Sequence, residues 1–225
     1  MGDRRQLESA YAAHHAEHRR YGFSYRVTER GPQLTAWIGT GKRVLDLGCR
    51  DGSLTQYYAA GNQVTGVDID RQALELARDR LGIATLWFDL TQEPYPYEAA
   101  SFDVIVAAEV LEHLPDPTRV VTEARRILKP GGAFIGSVPN GYHWRARMAG
   151  PSDRGSEDPM HLQRFSHSGI LRLLEGFESL ELLPVGGIGG RSLPILPAWL
   201  SRPLVRVLPA LLANDFLFRA TTPGR

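Results

Sequence analysis

The sequence predicts an α/β fold built on an open, largely parallel sheet. Three observations point there. From residue 43 onward short apolar runs alternate with helical stretches, and turn residues punctuate the changes between them. The 225 residues suffice for one domain of this kind with a large core. Alternating strand and helix means parallel strands joined by right-handed crossovers, and such a sheet binds its ligand beyond the carboxyl ends of its strands.

Taken in order, residues 1–30 are polar and rich in His, Arg and Tyr, and they read as one or two short helices outside the core. The apolar runs at 43–47, 63–67, 84–88, 102–107 and 133–138 read as strands. Between them, 53–60, 71–81 and 118–128 read as helices. The last of these opens on Asp116-Pro117, an N-cap followed by proline at the first helical position. Its residues Val120, Val121, Ala124, Ile127 and Leu128 keep helical spacing, and Lys129-Pro130-Gly131-Gly132 then stops the helix and turns the chain. The stretch 193–213 is apolar but broken by Pro194, Pro197, Pro203 and Pro209, and it carries Arg202 and Arg206. A spanning helix needs about 20 unbroken apolar residues, so this stretch reads either as a cap over a pocket or as a patch resting peripherally on a membrane. The cap is the reading we carry forward. Residues 215–221 read as the last strand.

Composition bounds the function. The chain has 26 basic and 25 acidic residues, a net charge of +1, so nucleic acid is not an expected partner. Its single cysteine, Cys49, excludes an intrachain disulfide and a cysteine zinc cluster, and points to a reducing, cytoplasmic setting. The opening residues carry no apolar run of a signal peptide, and no suitably placed serine or threonine follows Met1-Gly2 to mark myristoylation. No internal repeat is visible.

The chemistry gathers at the strand ends. The first strand runs into Asp46-Leu47-Gly48-Cys49-Arg50-Asp51-Gly52, where glycines let the backbone turn sharply and approach a ligand. A dinucleotide site would show G-x-G-x-x-G and hold a pyrophosphate at the helix N-terminus. That spacing is absent. Instead Asp46 would repel a phosphate and suit a cationic group such as an ammonium. Asp68, at the end of the second strand beside Ile69, stands where a carboxylate accepts both ribose hydroxyls. Asp70 reads as the cap of the helix beginning at Arg71. The third strand ends in Asp89-Leu90, an acceptor for an adenine amino group with an apolar side chain beside the ring. Read alone, each acid is also compatible with an ordinary loop residue.

Taken together, Val44–Leu54 (VLDLGCRDGSL), 66–70 (GVDID), 101–117 (SFDVIVAAEVLEHLPDP) and 126–140 (RILKPGGAFIGSVPN) resemble the class I S-adenosylmethionine-dependent methyltransferases. The nearest likeness is to the branch of ubiquinone-type O-methyltransferases and methionine-biosynthesis W-type proteins. A fainter likeness, over 139–147 and 158–165, is to methyltransferases of cell-surface glycan and lipid biosynthesis. The resemblance implies a Rossmann-like, seven-stranded, mostly parallel sheet with helices on both faces and a small C-terminal cap. It implies S-adenosyl-L-methionine as cofactor and S-adenosyl-L-homocysteine as product, with no metal. The acceptor is a small molecule or one linked to lipid or glycan, most readily methylated at oxygen by in-line displacement. Cofactor contacts fall on Asp46, Gly48, Cys49, Gly52, Asp68, Ile69, Asp89, Leu90 and Glu109, the last facing the methionine end. One position departs from the family pattern D-x-G-x-G-x-G: Arg50 stands at the middle glycine.

His113 and His161 are the candidate bases, since histidine titrates near neutral pH; each also reads as a loop histidine. His143, Trp144 and Arg164 are candidates for the acceptor pocket, with Arg164 suited to a carboxylate or phosphate. His14, His15 and His18 form no convincing metal set. Tyr11 or Tyr21 is a weakly supported lid. The chain divides into a helical lid at 1–30, a cofactor-binding core at 31–140, an acceptor-side loop and cap at 141–213, and a last strand and tail at 214–225. A nicotinamide enzyme and a non-catalytic protein on the same fold are the rival readings.

Overall fold

A computed structural model describes residues 8–13, 17, 21–144, 160–186 and 204–224. His14, His15 and His18, residues 145–159 and most of the 193–213 stretch lie outside these residues.

Helix α1 (Val27–Ile38) precedes the sheet and buries Leu34 and Ile38 against it. Then follow β1 (Arg43–Leu47), α2 (Gln56–Ala59), β2 (Gln63–Asp68), α3 (Arg71–Leu81), β3 (Ala84–Trp87) and β4 (Phe102–Ala108). A 3₁₀ turn (Leu111–His113) leads to α4 (Pro117–Ile127), β5 (Leu128–Pro139), α5 (His167–Leu173), β6 (Ser179–Val185), α6 (Pro209–Leu212) and β7 (Asp215–Thr221).

The caps expected from sequence form. Asp70 accepts from the Ala73 N–H at the start of α3, and Asp116 accepts from the Thr118 N–H with Pro117 in the first turn of α4. Helix α2 is shorter than the 53–60 expectation, because Gly52 and the residues after it turn before helical bonding begins. Strand β5 is longer than expected. It pairs with β4 from Leu128, and 129–132 form an irregularity across which the register jumps from Phe102↔Leu128 to Val104↔Ala133. The helix stop seen in the sequence is thus an interruption inside one strand.

The seven strands lie in the order β3-β2-β1-β4-β5-β7-β6, with β7 antiparallel to both neighbours and the other pairings parallel. Connections from β1 run outward toward β3, and those from β4 run the opposite way. The switch in direction falls between β1 and β4, where a crevice opens at the strand ends. β1, β4 and β5 are mostly buried, as strands covered on both faces are, with the exposed residues of β5 at Pro130 and Gly131. Leu45, Ile105, Phe134 and Phe216 belong to one core cluster; Val44, Val106 and Ile135 belong to another with Leu34 and Ile38.

From the 193–213 stretch, residues 204–207 and α6 are described. Val205 and Ala213 are buried in the first core cluster, while Val207 and Leu208 are exposed. Among the described residues no helix is long and apolar enough to cross a membrane.

Candidate functional site

A cavity of about 640 Å³ opens at the carboxyl ends of β1, β2 and β4 and is walled on its far side by residues 160–164. That volume suits a cofactor with a small second molecule.

The loop after β1 is held by its neighbours. Gly48 takes φ 70°, and a Cβ there would lie 2.2 Å from Val110 Cγ2, so only glycine lets the end of β1 pass the end of β4. Arg50 takes φ 49°, the left-handed backbone that the usual glycine adopts without cost and that costs another residue about 1–2 kcal/mol. Its side chain turns back along the N-terminal segment. The guanidinium donates to the Phe23 carbonyl and lies 3.6 Å from Asp51. Arg50 is among the residues that line the cavity.

Asp46 lines the cavity and gives Oδ2 to two donors, Thr55 Oγ1 at 2.6 Å and the Tyr58 hydroxyl at 2.7 Å. Burial lifts its carboxyl to about 6, against those hydrogen bonds and with help from the nearby Asp68 charge. Asp68 accepts the Arg50 N–H and the Asp70 N–H, both at 2.9 Å, so its carboxylate is fixed toward the loop. Asp89 also lines the cavity but bends into its own turn, accepting from the Thr91 N–H and hydroxyl. Ile69, Phe88 and Leu90 supply apolar wall between these acids, and the buried thiol of Cys49 sits against Gly66.

Gly52 is not among the residues that line the cavity. With φ 75°, its Cα faces α3, where a Cβ would meet Leu81 Cδ1 at 2.6 Å, and its lack of a side chain lets α3 pack against the loop.

Glu109 follows β4 with φ 58°, an uncommon backbone for a non-glycine residue that is held here by specific partners. Its Oε1 accepts from Ser137 Oγ at 2.8 Å and lies 3.3 Å from Arg30 Nη1. Arg30 is 2% exposed and also donates to Ser137 Oγ, Ser24 Oγ and the Tyr25 carbonyl. Nearby, Asp215 lies 3.2 Å from Arg26 Nε. Burial first, and then the Glu109 charge, push its carboxyl up to about 8, offset in part by Arg26 and Arg30.

Glu112 is 1% exposed, and neither carboxylate oxygen has a hydrogen-bond partner among the described residues. Burial and the Glu109 charge hold its pKa well above the usual carboxylate range. Its backbone carbonyl accepts the N–H groups of Leu162 and Gln163 at 2.8 and 2.9 Å. These bonds set residues 160–165 beside the 3₁₀ turn, so that the His161 ring meets the His113 ring edge to face with centroids 4.8 Å apart. His113 Nδ1 lies 3.1 Å from the Met160 carbonyl oxygen. The two histidines therefore share one wall of the cavity. Tyr11 joins them edge-on, 6.0 Å from His113, while the Tyr21 hydroxyl donates to Asp70 outside the cavity lining.

His143 and Arg164 line the cavity; Trp144, the last described residue of its segment, does not. Sequence reasoning missed Arg30, Thr55, Tyr58 and Asp215. Thr55 and Tyr58 are three residues apart just after the loop, a helical spacing that aims both at one point, and that signal was readable. Nothing local marks Arg30 or Asp215, whose partners come from distant elements.

A methyltransferase domain family matches residues 45–136. The ubiquinone biosynthesis O-methyltransferase of Paraburkholderia phymatum is 34% identical over 157 residues, covering 56% of this chain and 68% of that protein. The enzyme of the same description from Ralstonia nicotianae is 41% identical over 157 residues, covering 56% and 66%. Other matches of that description reach only about half the relative's length, down to 47%. Among solved structures, a SAM-dependent methyltransferase from Thermotoga maritima superposes with a TM-score of 0.65 at 20% identity, covering 85% of this chain and 87% of that one. That likeness concerns the fold.

Proposed function

Because the chain belongs to the class I S-adenosylmethionine-dependent methyltransferases, we propose that it methylates an oxygen of a small-molecule acceptor seated against His113 and His161. One observation carries this reading: Asp46, Asp68 and Asp89 line the same cavity as the histidine pair.

Donor and acceptor sides divide accordingly. Asp46 pairs with the ammonium of the cofactor, Asp68 receives its ribose hydroxyls, and Ile69, Phe88 and Leu90 pack beside its adenine, with Asp89 at the edge. Gly48 and Cys49 give close backbone approach, and Glu109, held by Ser137 and Arg30, borders the methionine end. When bound, S-adenosylmethionine supplies an electrophilic sulfonium methyl: the acceptor oxygen forms the new O–CH₃ bond, the S–CH₃ bond breaks, and sulfur keeps the electron pair as a neutral thioether.

The chain's own share is to position, to exclude water and to move one proton. Holding the oxygen in line with the methyl group removes several kcal/mol of barrier. His161 or His113, as neutral imidazole, takes the hydroxyl proton and becomes imidazolium. Transfer as such needs no metal. Arg164 and His143 line the cavity, where they would meet a polar or anionic part of the acceptor, which is a small molecule or one carried on a lipid or glycan. The N-terminal segment through Tyr11 serves as lid over a cofactor core and an acceptor-side loop. The relatives' description, ubiquinone biosynthesis O-methylation, favours a phenolic hydroxyl over an amine. The lone cysteine favours a reducing, cytoplasmic compartment.

The test is to incubate the purified chain with isotopically labelled S-adenosylmethionine and a panel of phenols, catechols, other hydroxyl compounds and amines, then read the products by mass spectrometry. Label on oxygen of a phenol or other hydroxyl supports the reading. Label only on nitrogen, or no cofactor binding by calorimetry, overturns it.

A further inference from the structure

We propose that Thr55 and Tyr58 are positioning residues for cofactor binding: their hydroxyls hold one oxygen of Asp46 and leave the other for the ammonium of S-adenosylmethionine. This rests on the reading of Asp46 as the partner of that ammonium, and not on the identity of the acceptor.

Both hydroxyls converge on Asp46 Oδ2, Thr55 Oγ1 at 2.6 Å and the Tyr58 hydroxyl at 2.7 Å. Asp46 lines the cavity, and its Oδ1 takes no hydrogen bond among the described residues. The two oxygens are therefore unlike: the protein holds one, and the other is left for a ligand. Neither donor stands where folding alone would ask for a hydroxyl. Tyr58 is 1% exposed and packs in the core with Leu34, Ile38, Val44 and Val64. Phenylalanine would fill that place as well, and a buried phenol needs a partner that phenylalanine does not. Thr55 is the N-cap residue of α2, where a threonine oxygen normally accepts a backbone N–H of the first turn. It makes no such bond. Its hydroxyl turns to Asp46 instead.

The same two hydroxyls favour the charged form of Asp46. Burial pushes the carboxyl up to about 6, the hydrogen bonds from Thr55 and Tyr58 draw it down, and Asp68 at the end of β2 pushes it up. The Cys49 thiol on its own loop and the Tyr58 hydroxyl from α2 are both held well above their usual values, so both are neutral neighbours. In the sheet, β2 sets Gly66 beside Asp46 and β4 sets Val106 there, and neither titrates. Arg30 and Arg50 line the same cavity but pair with Glu109 and Asp51, and Asp51 is paired with Arg80 as well. Among the described residues no cation pairs with Asp46. The two hydroxyls are what opposes burial until a cationic ligand arrives.

The experiment is calorimetric titration of S-adenosylhomocysteine from pH 5 to 8 into the chain and its Tyr58→Phe, Thr55→Val and Asp46→Asn variants. The first two remove a donor and keep the shape of the side chain. Losing a hydrogen bond to the charged form should move the midpoint of the binding profile up by about one pH unit. Affinity then falls by about fivefold at pH 6 and hardly at all at pH 8. In the Asp46→Asn background, Tyr58→Phe should add little, because its partner is already altered. A loss by the same factor at every pH marks a purely structural role and overturns the proposal. So does a midpoint unmoved in both hydroxyl variants while Asp46→Asn flattens the profile, a result that leaves the Asp46 assignment standing. If Asp46→Asn itself binds as the native chain does at every pH, the ammonium assignment fails and the proposal with it. Should one hydroxyl variant misfold, the other decides.

Discussion

The rings of His113 and His161 meet edge to face at 4.8 Å, although one follows β4 and the other stands just before α5. Their contact is enforced by backbone: the Glu112 carbonyl holds Leu162 and Gln163. Two residues read from sequence as candidate bases stand side by side on the cavity wall.

That proximity has a kinetic consequence. His113→Ala and His161→Ala are each expected to lower kcat by about 10²-fold on the true acceptor. The double variant should fall little further, because residues acting together are not additive. Cofactor affinity, measured by calorimetry, stays within a few fold. Near-normal turnover in both single variants would remove the histidines from the chemistry.

Asp68 carries a separate prediction. Asp68→Ala should weaken S-adenosylhomocysteine binding by about 1.5–3 kcal/mol, roughly ten- to a hundredfold, through loss of charge-assisted hydrogen bonds. Asp68→Asn keeps an acceptor oxygen for only one of the Arg50 and Asp70 N–H groups, which bond opposite carboxylate oxygens, and so retains part of the loop support that alanine removes. Its loss should be the smaller of the two. Unchanged affinity in the alanine variant ends the ribose assignment.

Cofactor binding should depend on pH through Asp46. Its carboxyl is lifted by burial to about 6, so it is charged at pH 7 and largely neutral at pH 5. A cationic ligand favours the charged form, and binding therefore weakens as pH falls below 6, by about tenfold at pH 5, with proton release on binding there. The same raised pKa favours the folded ligand-free protein in acid: this group's stabilising share is fully present below its unfolded value of 3.8 and is lost as pH rises through 6. Calorimetry from pH 5 to 7 checks the first claim. Asp46→Asn should bind more weakly at pH 7 and flatten the profile; an unaltered profile would show that another group titrates.

Arg50→Gly is expected to be nearly silent in affinity and stability. It relieves about 1 kcal/mol of left-handed backbone cost and forfeits a comparable contribution from the guanidinium's contacts with Phe23 and Asp51. The visible change should be faster amide exchange over residues 21–25, which those contacts tether to the loop. A cofactor affinity loss beyond about tenfold would mean that the arginine itself holds the ligand.

Much of the fold was legible from the chain alone. The five parallel strands, the Asp70 and Asp116 caps and the last strand are local facts, set by hydrophobic period, capping side chains and turn residues within a few positions of each other. The acids at the ends of β1, β2 and β3 were legible for the same reason: in a parallel sheet every strand end faces the same crevice. The sequence by itself thus located six of the sheet's seven strands, all but β6, with the ligand-bearing edge and the residues standing on it. Only the tertiary structure decided what those residues face. Gly52 packs against Leu81, Asp89 accepts within its own turn, and Arg30 reaches Glu109 and Ser137. It also brought His161 to Glu112 and His113. Such pairings depend on how crossover segments pack over the sheet, a long-range outcome of burial and backbone hydrogen bonding that no local period or spacing encodes.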